Sequence, residues 1–307
     1  MYWKMKAAAV VVVVLMVFSV GVTTVQASLG SAFTSVLNPW NPATQAVEKV
    51  VDRAIISRSS LPHAAPFDGF NSWSMFTDYS LSNSNDKRAG GFDNYSNSYL
   101  VGVDALYNGT LWGFMGNLYE ANGHNGTGGK SSIDCQTYSV YMNRSISDNM
   151  TWGASLSYGM SDSKARGVAG TTESDSYVFA PYLTMMTRIE KMTFSLSPSY
   201  VLAYQEEDSP AAGVSTDKAL MGKLVLMGRA NYALSDRLSI SGDLNFNQVV
   251  NNHGLDTEID PDHQWFTTGV CLSYQLTSNL NGKLGYSTEF DSDFASEIWN
   301  LGLSYSF

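Results

Sequence analysis

Residues 192–205 read Met-Thr-Phe-Ser-Leu-Ser-Pro-Ser-Tyr-Val-Leu-Ala-Tyr-Gln, and this stretch decides the fold class. Nearly all even positions from Met192 to Tyr204 carry apolar side chains, and the odd positions from Thr193 to Ser199 carry small hydroxyl side chains. A repeat of two residues is typical of a β-strand with one apolar and one polar face. The alternation outlasts the ~9–11 residues with which a tilted strand crosses the hydrocarbon of a bilayer. The stretch therefore predicts a membrane-spanning strand.

The same alternation recurs in residues 152–161, 238–247 and 299–307. A soluble β-sandwich also has alternating strands, but they usually run for only ~5–6 residues. Charged residues make up 15% of the chain of 307 residues, whereas soluble domains carry about 25%. The hydrophobic content of 44% excludes a disordered chain. We therefore predict an all-β fold, an antiparallel transmembrane β-barrel, rather than a sandwich.

Twelve strands can be placed in the predicted barrel of residues 72–307. They cover about residues 72–81, 95–107, 110–121, 132–146, 150–162, 174–187, 191–205, 218–233, 237–250, 264–276, 279–290 and 296–307. Asn108-Gly109 is a strong hairpin signal, and other tight turns are predicted at 147–149, 188–190, 234–236 and 277–279. Longer polar connections alternate with these turns. We expect both termini at the short-turn end, which in outer-membrane barrels faces the periplasm.

The first 27 residues have the composition of a cleaved secretory signal peptide. Lys4 and Lys6 precede an almost wholly apolar run over residues 7–22, and Val25-Gln26-Ala27 offers small residues at the positions that signal peptidase reads. The alternative is an uncleaved membrane helix, but the run is shorter than the ~20 residues that a spanning helix needs. Residues 28–71 are then an N-terminal linker. The predicted location is the outer membrane of a Gram-negative cell.

Three motifs carry a resemblance to a known family. Tyr99-Leu-Val-Gly-Val-Asp104 is followed by a short turn and Leu111-Trp-Gly-Phe-Met-Gly116, and Trp152-Gly-Ala-Ser-Leu-Ser-Tyr-Gly159 comes later. The chain ends in Trp299-Asn-Leu-Gly-Leu-Ser-Tyr-Ser-Phe307. The region from Trp73 to Phe307 resembles the C-terminal translocator barrel of the autotransporter family of Gram-negative outer-membrane proteins.

This resemblance implies a twelve-stranded barrel that is inserted by the barrel assembly machinery, which recognises the last strand. The alternating apolar residues of that strand are the expected assembly signal: Trp299, Leu301, Leu303, Tyr305 and Phe307. Family members export an N-terminal passenger. Fewer than fifty residues separate Ala27 from Trp73, so we expect no large passenger in this chain.

A short α-helix is predicted before the barrel, over residues 43–58. Asn41-Pro42 offers an N-cap followed by proline in the first turn. Apolar residues then recur at helical spacing: Ala43, Ala46, Val47, Val50, Val51, Ala54 and Ile55. The resemblance implies a helix that threads and fills the barrel. A polar lumen is a poor host for an apolar stripe, so a helix docked at the barrel mouth or on a partner remains the alternative.

Strand parity assigns six charged side chains to the face opposite the lipid. They are Asp104, Lys223, Arg229, Asp243, Lys283 and Glu289. With three charges of each sign, we expect weak ion selectivity at most. A water-filled passage and a lumen closed by these charges and the helix both remain open. The first functional hypothesis is a passive pore or translocator-like channel.

Two further hypotheses belong to other functional classes. One is an adhesin-like surface protein whose outer loops, such as residues 205–218 and 250–263, bind a partner. The other, which the residues favour least, is an outer-membrane hydrolase that uses His253 and His263 with the carboxylates of the loop between them. P-loop, dinucleotide and CxxC motifs are absent from the sequence. We therefore expect no enzyme, metal or cofactor.

The net charge of −10 argues against a nucleic-acid partner, because phosphate binding needs clustered Lys and Arg. The expected partners are outer-membrane lipid, lipopolysaccharide and the assembly machinery, and the expected oligomeric state is a monomer. Cys135 and Cys271 fall on the fourth and tenth predicted strands, nearly opposite one another. A disulfide needs Cβ atoms within about 4.5 Å, so we predict two thiols that face inward without forming a bridge.

Overall fold

The computed structural model describes Val50 and residues 70–86, 92–125, 130–165, 171–209, 214–253, 264–290 and 294–307. The predicted signal peptide lies outside the described residues. So does the predicted helix over residues 43–58, apart from Val50, which is helical. No helix within the described ranges is long and apolar enough to cross a membrane.

Twelve antiparallel strands form one closed barrel, which confirms the predicted fold class. The strands are β1 (Phe70–Asp86), β2 (Phe92–Tyr107), β3 (Thr110–Asn125), β4 (Lys130–Ser147), β5 (Met150–Ala165), β6 (Thr172–Ile189), β7 (Met192–Ser209), β8 (Val214–Ala233), β9 (Leu238–His253), β10 (Gln264–Gln275), β11 (Leu280–Phe290) and β12 (Phe294–Ser306). Each strand pairs with its neighbours in sequence, and β1 pairs with β12 to close the wall. The backbone N–H of Phe307 donates to the carbonyl of Trp73 over 2.8 Å at the short-turn end. Both ends of the barrel chain therefore meet there, as predicted.

Large apolar side chains cover the outer face of the barrel. Trp73 and Trp299 are 50% and 53% exposed, and leucine, valine and tyrosine side chains of the other strands are exposed to a similar extent. Aromatic rings of neighbouring strands pack together toward the long-connection end, as in Tyr79 with Tyr99 and Tyr286 with Trp299. An apolar band with aromatic edges is the surface that outer-membrane barrels present to lipid.

The strands extend further toward the long connections than the sequence predicts. β1 continues to Asp86, β2 begins at Phe92, and residues 205–209 and 214–218 belong to β7 and β8 rather than to a loop. Backbone pairing continues past the apolar band, where the outward side chains are polar as well and the alternation of apolar and polar residues is lost. Five carboxylates face one another across β3–β7 in this region: Glu120, Asp134, Asp162, Glu173 and Asp208.

The outer ends of the strands also carry solvated ion pairs. Lys218 Nζ lies 2.8 Å from Glu206 Oε1, with both side chains exposed. The hydrogen bond from Lys218 lowers the pKa of Glu206, and the same bond raises the pKa of Lys218. Both groups therefore stay charged over a wide range around neutral pH. Exposed pairs of this kind contribute little to stability, so pairing in this region rests on the backbone.

One short turn differs from its predicted position. Asn108 and Gly109 adopt φ angles of 47° and 70° and form the predicted two-residue hairpin turn. The turn predicted at residues 188–190 instead consists of Glu190 and Lys191, because Ile189 still pairs with Met192. Glu190 takes a positive φ of 54°. No Asn-Gly pair marks this turn, so the sequence located it only approximately.

Two prolines interrupt the pairing of β6 with β7. Between the pairs Phe179–Leu202 and Met185–Leu196, only Tyr182 and Ser199 are paired. Pro181 faces this gap from β6 and Pro198 faces it from β7. Proline has no N–H to donate to the opposite strand and is normally confined to sheet edges. The wall therefore has fewer hydrogen bonds here, near the middle of both strands.

Candidate functional site: the barrel lumen

Asp104 lies on the inner face of β2, where the structure buries its side chain. Tyr141 on β4 donates a hydrogen bond of 3.0 Å to Asp104 Oδ2, and Ser74 on β1 also donates to the carboxylate. Gly113 stands on β3 between Asp104 on β2 and Tyr141 on β4. A side chain at Gly113 would collide with the Tyr141 ring. The glycine thus lets the tyrosine reach across one strand to the carboxylate.

Ion pairs between neighbouring strands line the inner face. Arg229 on β8 lies 3.9 Å from Asp243 on β9, its register partner, and the two side chains are 20% and 19% exposed. Lys283 on β11 contacts both carboxylate oxygens of Asp78 on β1, at 2.9 and 3.1 Å. These contacts reach across β12, where Gly302 faces both residues. The structure thus places charges of opposite sign together.

The remaining two predicted charges lie apart from these pairs. Lys223 on β8 is 3% exposed, and its ammonium lies 5.2 Å from the centre of the Trp265 ring, a cation–π contact. Glu289 on β11 is partly exposed and faces Thr267 of β10 and Ser296 of β12. Lys223 therefore belongs to the buried interior, and Glu289 belongs to the accessible part of the lumen.

Sequence reasoning missed Asp78 and Trp265 as lumen residues. Asp78 follows Phe76 on the same face as the serines at positions 80, 82 and 84, so strand parity in β1 could have identified it. Trp265 is large and aromatic, which suggests a lipid-facing side chain. Only its register with Asn247 on β9 shows that it points inward.

The inner face also carries a large apolar cluster. Its members lie mainly on two groups of strands, β1–β4 and β6–β9: Phe76, Leu100, Leu111, Met115, Tyr141, Val178, Ala180, Tyr182, Val201, Ala203, Ala219, Met221, Val225, Met227 and Val249. Val50 belongs to the same cluster and is 0% exposed. The lumen, which the sequence analysis describes as polar, therefore also holds a buried apolar surface. Buried apolar side chains are stable in the interior where other apolar surface covers them.

The two cysteines do not form a disulfide, as predicted. Cys135 on β4 is buried, and Cys271 on β10 is partly exposed. By register, Cys271 faces Ser241 of β9 and Gly285 of β11, all on the inner side of the wall. The two thiols thus lie in different environments of the same lumen, Cys135 in a buried part and Cys271 in a partly exposed part.

Catalytic and metal-binding groups are sparse in the described part of the chain. Within those residues, no three His, Cys, Asp or Glu side chains are grouped so that they could hold a metal ion. The backbone of His253 ends β9. His263 and the acidic segment before it lie outside the described residues. The histidine pair of the hydrolase hypothesis therefore has no described geometry.

The fold matches solved outer-membrane barrels. The translocator domain of the autotransporter NalP from Neisseria meningitidis superimposes with a TM-score of 0.61 at 14% identity, covering 90% of this chain and 100% of that domain. The β domain of the Bordetella autotransporter BrkA gives 0.60 at 12% identity, covering 77% and 100%. An outer-membrane channel from Pseudomonas putida F1 gives 0.57 at 12% identity, covering 80% and 99%.

These similarities establish the architecture. The chain has the fold of autotransporter translocator domains, so the predicted resemblance is confirmed at the level of the fold. No protein-family model matches the sequence, and no curated protein matches it either. At such low identities, what the lumen does has to be argued from its own residues.

Proposed function

We propose that this protein is a passive pore or translocator-like channel in the outer membrane of a Gram-negative cell. The observation that carries the proposal is the division of the barrel wall into two faces. The outer face is apolar and exposed, while the inner face holds ion pairs and partly exposed polar side chains. Such a wall is stable only with lipid outside and water or protein inside.

The proposal includes an N-terminal segment inside the barrel. Residues 1–27 act as the signal peptide, and the apolar side of the helix over residues 43–58 packs on the apolar cluster of the lumen. The burial of Val50, which belongs to this apolar cluster, supports the arrangement. The segment then narrows the lumen but does not act as a catalyst or bind a cofactor.

Electrical recording tests the pore. We expect the refolded mature chain to open small channels in a planar bilayer, and a variant lacking residues 28–69 to open larger ones. The control is a heat-shift on a detergent gel, which shows that both barrels are folded. Folded barrels that never conduct in either form would exclude the pore. The adhesin-like alternative would then gain support if shortening the outer connections abolished cell binding.

Assembly in the cell is the second part of the proposal. Four outward side chains of β12 and the residue that follows it act as the signal for the barrel assembly machinery: Trp299, Leu301, Leu303, Tyr305 and Phe307. Replacing Phe307, which is the most exposed of them at 68%, with serine should lower the amount in the outer membrane several-fold. Refolding of the same variant in detergent should be nearly unchanged. Equal losses in both assays would indicate a folding defect instead.

A further inference from the structure

The lumen face of the barrel is not equally accessible all round. On β2–β7 nearly every inward side chain is buried, as in Leu100, Met115, Tyr141, Ser157, Val178 and Val201. On β10 every inward residue from Trp265 to Gln275 is partly or fully exposed, and most inward residues of β11 and β12 are partly exposed as well. The difference in exposure between these two groups of strands extends along most of their length. Among the described inward residues, those in contact with water therefore lie mainly on β10–β12 and the strands beside them.

Small side chains make room along this accessible side. Gly269, Cys271 and Ser273 follow one another on the inner face of β10, and Gly285 and Ser287 face them from β11. The halves of β8 and β9 nearest their short turn continue this accessible side. Their inward residues Asn231, Ser239 and Ser241 are also partly exposed. By contrast, the bulky apolar cluster has its wall residues on β1–β4 and β6–β9 and none on β10–β12, and it also includes Val50. The free space is thus displaced toward β10–β12.

Five charged residues of the lumen lie along or beside this accessible side, whereas Asp104 and Lys223 are buried away from it. The Arg229–Asp243 pair stands at one edge, and the Lys283–Asp78 pair stands at the other. Glu289 lies between β10 and β12 near the long-connection end. Two cationic and three anionic groups leave one excess negative charge. Hydroxyl, amide and charged groups give an apolar solute no favourable contact, whereas they solvate ions and hydrophilic molecules.

We propose that solutes cross this barrel through an off-centre crevice. The crevice runs along the inner faces of β10–β12 and of the halves of β8 and β9 nearest their short turn. Its cargo is small hydrophilic solutes and inorganic ions, with a weak preference for cations. This inference rests on the proposed pore function and specifies its path. The crevice lies beside the buried side of the lumen, to which Val50 belongs, so we expect the full chain to conduct.

The two native cysteines allow a matched test in the full mature chain. Cys135→Ala leaves only Cys271, on the crevice, and Cys271→Ala leaves only Cys135, on the buried side. A water-soluble, positively charged methanethiosulfonate reagent is added to the folded protein in vesicles. We expect rapid labelling of the first variant and very slow labelling of the second, because the reagent reacts from water with an accessible thiolate.

The same reagent is then applied during planar bilayer recording. We expect labelling of Cys271 to lower the conductance several-fold and to shift the reversal potential away from cation preference. The Cys271→Ala channel should keep its current. Glu289→Gln, which alters charge without adding bulk, should reduce the cation preference while leaving most of the conductance.

Each other outcome contradicts a specific statement. Failure of Cys271 to react in the folded barrel would show that water does not reach the crevice. Complete labelling with unchanged conductance would place the path elsewhere in the lumen, while the pore itself would stand. A folded full chain that conducts no current, even before labelling, would overturn the pore and its path together.

Discussion

At the scale of single residues, glycines on the inner face decide which polar groups can meet. Gly302 stands on the closing strand between Asp78 and Lys283, and a side chain there would collide with both. Without that side chain, the lysine reaches across β12 and ties β11 to β1. Because this contact spans the junction where β1 meets β12, it stabilises closure of the barrel in the observed register.

The Asp78–Lys283 pair predicts a specific mutational pattern. Lys283→Met should lower the free energy of unfolding by about 3 kcal/mol, because removing one partner leaves a buried charge uncompensated. The double variant Asp78→Asn with Lys283→Met should recover most of this loss. Urea unfolding in lipid vesicles, followed by tryptophan fluorescence, measures both changes.

Arg229→Met is the matched control for this pair. The Arg229–Asp243 contact is longer, at 3.9 Å, and Asp243 is more exposed than Asp78. The loss should therefore be smaller than for Lys283→Met. Additive effects of the two substitutions in the Asp78–Lys283 double variant would show that the pair does not couple β11 to β1.

At the scale of elements, the β6–β7 junction is the weakest pairing in the middle of the described wall. Its register holds, since pairs flank the gap on both sides. The gap in the pairing is explained by Pro181 and Pro198, which have no N–H to donate. The alternation of inward and outward side chains continues through the gap. The sequence pattern therefore predicts both strands correctly, but it does not indicate how many hydrogen bonds pair them.

Restoring the two N–H groups should strengthen this junction. In the double variant Pro181→Ala with Pro198→Ala, we expect slower amide exchange of the residues around Tyr182 and Ser199. Each new hydrogen bond contributes about 0.5–1.5 kcal/mol, partly offset by the greater freedom of the unfolded chain without proline. Hydrogen exchange with mass-spectrometric readout checks this.

A comparison with β4 and β5 provides the internal control. Those strands are paired continuously from Ser131–Ala165 to Ser145–Thr151, so their exchange should be slow in both proteins. Equal protection of β4–β5 and β6–β7 before substitution would contradict the weak junction. Unchanged exchange after substitution would show that the prolines do not limit it.

At the scale of the whole molecule, the polar and apolar sides are inverted relative to a soluble domain. Large apolar side chains stand outside, and most charged groups within the apolar band face inward. A soluble monomer rarely exposes a contiguous apolar surface of this extent. The barrel therefore needs lipid or detergent around it, which is also the reason for the proposed location.

Fluorescence in brominated lipids tests this arrangement. Trp73, Trp112, Trp152 and Trp299 point outward and are between 41% and 53% exposed, so brominated acyl chains should quench much of the emission. Trp265 points inward, and Trp265→Phe should remove mainly unquenched emission. A monomer that stays dissolved in buffer without detergent, with unquenched tryptophans, would contradict the membrane barrel.

The sequence alone was sufficient for the fold class, the number of strands, four of the five short turns and the resemblance to translocator barrels. These properties are local, because the two-residue alternation and the turn residues act within one strand or one hairpin. It was insufficient at the outer strand ends, where both faces are polar, and in the lumen, which holds an apolar cluster that the pattern did not reveal.

Only the tertiary structure decided which inner residues meet. Asp78 and Lys283 are 205 positions apart in the chain, and they come together only because the barrel closes in one register. The tertiary structure also leaves the inner faces of β2–β7 mostly buried and those of β10–β12 mostly partly exposed. The physical reason is that strand parity assigns a side chain to a face, whereas its partner and its solvent exposure depend on what the closed wall places opposite it.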